Sequence, residues 1–237
     1  MPETDAIFAN LKHKDLKDHD GTVKRLSIDC KATVELGESS RRGKTRTQTK
    51  ACDHDMGSGP KYIPCGILEE DTDTLHIIFG HSHKTSDFMV DNLQDWWNTL
   101  APTEQQTLQL IQIKLDNGPE NSGVRTQFLN RLVAFSDHIG TAIQLLYYPP
   151  YHSKYNPIER CWGILEQHWN GTLLTDVDTL LGWARTMTWK GNHPVVTVTQ
   201  KIYETGISLT KQAMKGIEKR LERHPQLPKW DILIHPI

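Results

Sequence analysis

Cysteine is scarce: Cys30, Cys52, Cys65 and Cys161 are the only four in 237 residues, and none forms a Cys-x-x-Cys pair. That excludes a scaffold built on disulfides. Twelve histidines are present, and His81-Ser-His83 and Cys52-Asp-His54 lie close in sequence. Their spacings match no standard zinc pattern, so no zinc site is expected. There is no apolar run of the ~20 residues a membrane-spanning helix needs and no apolar signal segment at the start. A reducing, cytoplasmic setting is therefore expected. An excess of charge is also lacking: 27 basic and 29 acidic residues leave a net −2. The molecule is not a polycation, and any contact with nucleic acid must come from local patches. One such patch is Arg41, Arg42, Lys44, Arg46 and Lys50, five basic residues in ten with no acid among them. A solvated loop would carry the same composition. At 37% hydrophobic and 24% charged residues, the chain is globular rather than disordered.

Patterning predicts an ordered series of elements. Residues 1–22 read as a polar lead-in. Val23 to Cys30, Tyr62 to Leu68 and Thr74 to Phe79 read as strands. Ser86 to Leu100 places Phe88, Val90, Leu93, Trp96, Trp97 and Leu100 at helical spacing, with Thr85 or Ser86 as cap and Pro102 beyond the end. A fourth strand is expected over Thr107 to Leu115 and a second helix over Val124 to His138, with Gly140 as its stop. A fifth strand, Thr141 to Tyr148, precedes a helix from Asn156 to about Trp169. Three strands that can meander, followed by helical crossovers that favour parallel pairing, give the element order of a ribonuclease H-like α/β fold. That fold is a five-stranded mixed sheet with helices on both faces. The expected division is a catalytic domain over 23–170 and a mostly helical C-terminal extension over 171–237, in which Asp176 to Trp189 and Leu209 to Arg223 read as helices, Val195 to Tyr203 as extended and the end from Trp230 as a short strand.

Three carboxylates in this order suggest chemistry. Asp29 ends the first strand, Asp116 ends the fourth, and Glu159 lies in the first turn of the third helix. If the strands carrying Asp29 and Asp116 are parallel neighbours, both side chains emerge at one sheet edge. The stiff Pro149-Pro150 loop then returns the helix across that edge. Hard oxygen ligands of this kind suit Mg²⁺ or Mn²⁺, and a pair of ions sits roughly 3.5–4 Å apart in phosphoryl-transfer sites. Each residue also has a plainer reading. Asp29 and Asp116 can be turn formers, with Glu120 a competitor to Asp116. Asn156, Pro157 and Glu159 fit a capping box, and Glu166, two turns on, is an alternative glutamate.

With these residues in view, the chain resembles the DDE transposases of the mariner-like insertion-sequence superfamily. Pro-Pro-Tyr-His-Ser-Lys-Tyr-Asn-Pro-Ile-Glu-Arg-Cys-Trp, residues 149–162, resembles that superfamily's signature around its third carboxylate. Ser-Ile-Asp29-Cys-Lys and Leu-Asp116-Asn-Gly-Pro-Glu-Asn resemble the segments around the first and second. The likeness is nearest to the ISAzo-type group, through Asp53-His54-Asp55, Pro64-Cys-Gly-Ile67 and the ending Trp230 to Pro236. The interval from Asp116 to Glu159 is longer than is typical of the wider superfamily, as in that group. The resemblance implies that Asp29, Asp116 and Glu159 bind two Mg²⁺ or Mn²⁺ ions. It implies cleavage at element ends and strand transfer into target DNA, by a homo-oligomer on DNA near the nucleoid. Relatives carry an N-terminal helix-turn-helix region that reads element ends, whereas about twenty residues precede the first strand here. A separate helix-turn-helix chain is therefore a possible partner. A remnant that binds without catalysis, and a nuclease that only hydrolyses, remain the alternatives.

Lys31, Lys154 and Arg160 flank the carboxylates and, with Arg41, Arg42, Lys44 and Arg46, are the candidate DNA contacts. Trp162, Leu165 and Trp169 follow Ile158 at helical spacing and read as core. Cys30 and Cys161 read as small packing residues. Lys211, Lys215, Lys219, Arg220 and Arg223 give a tail helix a basic side.

Overall fold

Val23–Cys30 (β1) is an apolar-rich run, and its central residues, Leu26 to Ile28, are buried on both sides, as befits the middle of a sheet. The structure, a computed structural model, describes residues 2–16, 20–38 and 59–237. The other strands are Val34–Glu35 (β2), Lys61–Glu69 (β3), Thr74–Gly80 (β4), Leu110–Asp116 (β5), Ala142–Tyr148 (β6), Val195–Thr199 (β7), Leu221–Arg223 (β8) and Asp231–Ile234 (β9). They form one mixed sheet in the order β7-β4-β3-β1-β5-β6-β9-β8, with β2 paired to β3 off this path. β1, β3 and β4 meander antiparallel. β1, β5 and β6 run parallel, as their helical crossovers require. The expected five strands form the centre, in the order β4-β3-β1-β5-β6.

Helices cover both faces. Ser86–Trp97 (α2) and Thr126–Ile139 (α4) bury Phe88, Leu93, Trp96, Phe128 and Leu132 against Leu26, Ile28, Ile113 and Leu115. Pro157–Trp169 (α5) and Val177–Thr186 (α6) bury Ile158, Trp162, Leu165, Trp169 and Leu180 against Leu68, Leu75, Ile77 and Phe79. α2 is capped by the Thr85 side chain, and α4 stops at Gly140 in the left-handed conformation. Both ends are those that the sequence predicts.

Three expectations need correction. The first residues are not a loose lead-in, because Pro2–Lys14 forms a helix (α1). Its apolar stripe is narrow, only Ile7, Phe8 and Leu11, so its composition looks polar. Ile7 and Leu11 are nevertheless 2% and 7% exposed, in the same apolar cluster as β6 and β9. Acids in the first turn and bases in the last complement its dipole. The expected fourth strand starts later than its pattern suggests: a short helix, Pro102–Thr107 (α3), takes its first residue, and β5 begins at Leu110. The C-terminal stretch holds α6, β7, Lys211–Glu218 (α7) and β9 where helix and extended chain are expected, but its strands are part of the central sheet: β7 joins one edge, and β9 with the unexpected β8 joins the other. Arg220 and Arg223 of the expected basic side are spent on internal contacts, with Asp137 and Glu218 respectively.

A buried charge network ties α1 to the sheet. Lys114 of β5, 5% exposed, donates to Asp15 at 2.6 Å and to Glu70 at 2.7 Å. Arg25 of β1 pairs with the same Asp15, and with Asp71. Breaking a buried pair from one side strands the opposing charges. Lys114→Met is therefore expected to destabilise the fold by about 3 kcal/mol, and chemical denaturation would show this as a lower midpoint at unchanged slope.

Candidate active site

Strand alternation separates two kinds of residue on β1. Leu26 and Ile28 face the α2–α4 core, while Ser27 and Asp29 face α5. The parallel register pairs Ile28 with Leu115, so the next step sets Asp29 beside Asp116. The loop after β6 then crosses this edge and delivers α5, in which Glu159 is the third residue.

The contacts that hold α5 there differ from those the sequence predicts. Asn156 is 0% exposed and precedes the helix, yet its side chain does not cap it. The cap comes from β1: Ile158 N–H donates to Ser27 Oγ at 3.0 Å. The Ser27 hydroxyl in turn donates to Asn156 Oδ1, and Asn156 Nδ2 donates to the Ile28 carbonyl at 3.3 Å. A strand hydroxyl thus does the work of an N-cap and fixes the helix to the strand that bears Asp29. The capping-box alternative for Glu159 is not what forms. Asn156 N–H donates to the Ser153 carbonyl at 2.7 Å instead of to the Glu159 carboxylate. Ser27→Ala is expected to cost about 1–3 kcal/mol, because it leaves the buried Ile158 N–H and Asn156 Oδ1 without their partner. Thermal denaturation measures that loss.

Electrostatics mark the three carboxylates as one group. Burial, then the charges of Asp29 and Glu159, push the Asp116 carboxyl up to about 6, against weaker lowering by Asn156 and Lys84. Burial and then Asp29 raise Glu159 above the ordinary glutamate range. Asp116 Oδ1 is buried without a hydrogen-bond partner. Asp29 Oδ2 accepts from Trp162 Nε1 at 3.0 Å. Among the described residues no three His, Cys, Asp or Glu side chains are drawn close enough to hold an ion as they stand. An opening between like charges is what their mutual repulsion favours. The donor set fits a hard divalent cation: all oxygen, partly buried, and with one buried oxygen left without a hydrogen-bond partner.

The other sequence candidates fall in different places. Lys31 follows β1 and is paired with Glu166 at 2.6 Å. Glu166 also accepts from Trp169 Nε1 at 2.9 Å, so this alternative glutamate serves a structural pair. Glu120 faces Arg125 at 3.6 Å. Lys154, before α5, and Arg160, in its first turn, are exposed, Lys154 with its ammonium 5.3 Å from the Tyr155 ring centre. Arg41, Arg42, Lys44 and Arg46, like Cys52 and the Asp53-His54-Asp55 segment, lie outside the described residues. Two participants were missed. Ser27 could have been found from its period-two relation to Asp29. Lys84, in the loop before α2, donates to the Cys30 carbonyl at 3.3 Å and its charge acts on both Asp116 and Glu159. It belongs to no pattern that a sequence reading could use.

A mixed sheet covered on both faces, with three carboxylates at the parallel strand ends and the crossing helix, is a ribonuclease H-like domain. Over residues 1–236 the chain matches the family described as the Rhodopirellula transposase DDE domain, and it belongs to that family. No curated protein matches it in sequence. Among solved structures it is similar to the Mos1 mariner paired end complex with Mn, at 10% identity and a TM-score of 0.49, over 76% of this chain and 52% of that one. It is similar also to the Mos1 transposase paired-end complex with left transposon end, at 9% identity, TM-score 0.48, and 77% and 51% coverage. A third is the Mos1 strand transfer complex, at 8% identity, TM-score 0.45, and 76% and 50% coverage. The chain thus spans about half the length of the Mos1 chains it resembles. No helix among the described residues is long and apolar enough to cross a membrane.

Proposed function

We propose that this chain is the catalytic core of a transposase, cutting DNA and joining the cut end to a target, with Asp29, Asp116 and Glu159 as ligands of Mg²⁺ or Mn²⁺. The observation that carries this reading is the unpartnered, buried Oδ1 of Asp116, pressed by two neighbouring carboxylates. It has the environment of a metal ligand, in a chain that belongs to a DDE transposase domain family. Two ions are proposed because three carboxylates exceed what one Mg²⁺ usually takes from protein. When bound, such ions polarise the scissile phosphate and lower the pKa of the attacking hydroxyl. The protein's own part is positional. β1 and β5 fix two carboxylates in one register, the Ser27–Asn156 clasp fixes the third, and Trp162 orients Asp29. Hydrolysis leaves a 3′-hydroxyl at the element end. That hydroxyl attacks a target phosphodiester, and the displaced target 3′-oxygen leaves as a hydroxyl, so one bond forms for each broken.

In this reading the partners are element-end and target DNA, engaged by a homo-oligomer near the nucleoid, with a helix-turn-helix chain reading the end sequence. Lys154, Arg160 and the Arg41–Arg46 segment are proposed to meet the phosphates, as is Lys31 once it exchanges Glu166 for the backbone. The test is nicking and joining of a labelled duplex in Mg²⁺ or Mn²⁺, wild type beside Glu159→Gln. Cleavage and joined product from wild type only are expected. Cleavage of a duplex without joining of a pre-cut 3′-hydroxyl end would make the chain a nuclease. DNA binding with no cleavage by wild type would make it a non-catalytic remnant.

A further inference from the structure

Tyr151 is 101% exposed, on a backbone with φ of +63°. Its turn is closed by His152 N–H donating to the Pro149 carbonyl at 3.2 Å, so Pro150 occupies the second position and Tyr151 the third. A turn with proline second and positive φ third takes glycine or asparagine there, because a larger side chain is strained. Among the described residues the Tyr151 ring has no contact that offsets this strain; neither a hydrogen bond nor a ring partner falls to it. A bulky ring that stabilises nothing, at a position suited to glycine, points to a use outside the fold.

The loop is built to fix the backbone that carries that ring. Pro149 and Pro150 stiffen its start. Behind it, Phe8 of α1 packs edge-on against His152 at 5.4 Å and against Tyr155 at 5.1 Å. Two residues past Tyr151, the Ser153 carbonyl accepts from the N–H of Asn156, whose side chain is clasped to the strand that bears Asp29. The ring therefore stands on the segment that leads into the carboxylate cluster, with the exposed cation Lys154 nearby.

We propose that Tyr151 is a stacking platform for an unpaired base of the DNA strand held at the carboxylate cluster. This rests on the DNA-processing reading above and adds to it a specific contact. Aromatic rings stack on any base, whatever the sequence, which is how proteins grip single strands. A stacked base also needs its phosphates held, and an exposed lysine three residues away is suited to that.

The test uses a forked duplex with 2-aminopurine at an unpaired position, titrated in Ca²⁺ with the full chain. Wild type and Tyr151→Phe are expected to quench the probe. Tyr151→Gly is expected to bind at least about ten-fold more weakly without quenching, while its melting temperature holds or rises. A Tyr151→Gly variant that binds and quenches like wild type would overturn the inference and leave the DNA reading intact. So would a lowered melting temperature, which would make the ring structural, or an altered oligomeric state at unchanged DNA affinity, which would make it a protein contact. If wild type bound neither this probe nor a plain duplex, the DNA reading itself would fail, and the inference with it.

Discussion

Asp116→Asn is expected to raise the melting temperature of the metal-free protein at pH 7 while abolishing DNA cleavage. An acid whose folded pKa lies above its unfolded value binds its proton more tightly when folded. Its contribution to stability is fully present below the unfolded value of 3.8 and is lost as pH rises to about 6. At pH 7 the whole cost of the buried, repelled charge remains. Two pKa units correspond to about 3 kcal/mol. The site is partly open to water, so screening reduces this to on the order of 1–2 kcal/mol. Asparagine removes the charge at nearly the same volume, and its amide can donate to the carboxylates that repelled Asp116. Divalent ion should raise the melting temperature of wild type and leave Asp116→Asn nearly unmoved, since stabilisation by a ligand requires that the ligand bind. A lower melting temperature for Asp116→Asn without metal would mean that Asp116 is a structural turn former.

The same shifts set an expected pH dependence. Both Asp116 and Glu159 hold their protons to higher pH than ordinary carboxylates. Protons and metal ions then compete for them below about pH 6. Cleavage at subsaturating Mn²⁺ should fall on the acid side of that value, and raising the Mn²⁺ concentration should move the fall to lower pH. An acid limb that ignored metal concentration would assign it to some other group.

The sheet centre and its parallel strand ends were legible because each rests on a local pattern that burial rewards. β1 is an apolar run, β5 and β6 carry β-branched and aliphatic residues, and α2, α4 and α5 show clean 3.6-residue spacing with recognisable starts and stops. The positions of Asp29, Asp116 and Glu159 follow from those elements. What was not legible depends on contacts between distant segments. α1 is held by Ile7, Leu11 and a charge network through Asp15, whose partner Lys114 lies 99 residues away. β8 is short and becomes a strand only because β9, seated on the edge of β6, offers it one. The Asn156 cap was inferred from local chemistry, but a strand hydroxyl 129 residues away took its place. Lys84 reaches the carboxylates only through the fold of its loop.

Gly66→Ala is expected to lose activity out of proportion to its size. Gly66 lies opposite Asp29 in the antiparallel β1–β3 register. A Cβ there would stand 2.7 Å from the Trp162 ring and 2.8 Å from Ile158 Cδ1. Both belong to α5 and both are buried, so neither can swing into open space. The helix must move off the sheet, at an overpacking cost of about 1–3 kcal/mol. That movement strikes the site twice, since Trp162 Nε1 is the donor that orients Asp29 and Glu159 rides on the same helix. A displacement of 1 Å at reacting groups can cost on the order of 10²-fold in rate. Cleavage by Gly66→Ala at saturating Mn²⁺ should therefore drop by about that factor, in protein that still unfolds cooperatively. Trp162→Phe in the Gly66→Ala background removes part of the colliding indole and should recover stability. It should not recover full activity, because the hydrogen bond to Asp29 is gone. Full activity in Gly66→Ala would mean that the seat of α5 on the sheet has no bearing on the chemistry.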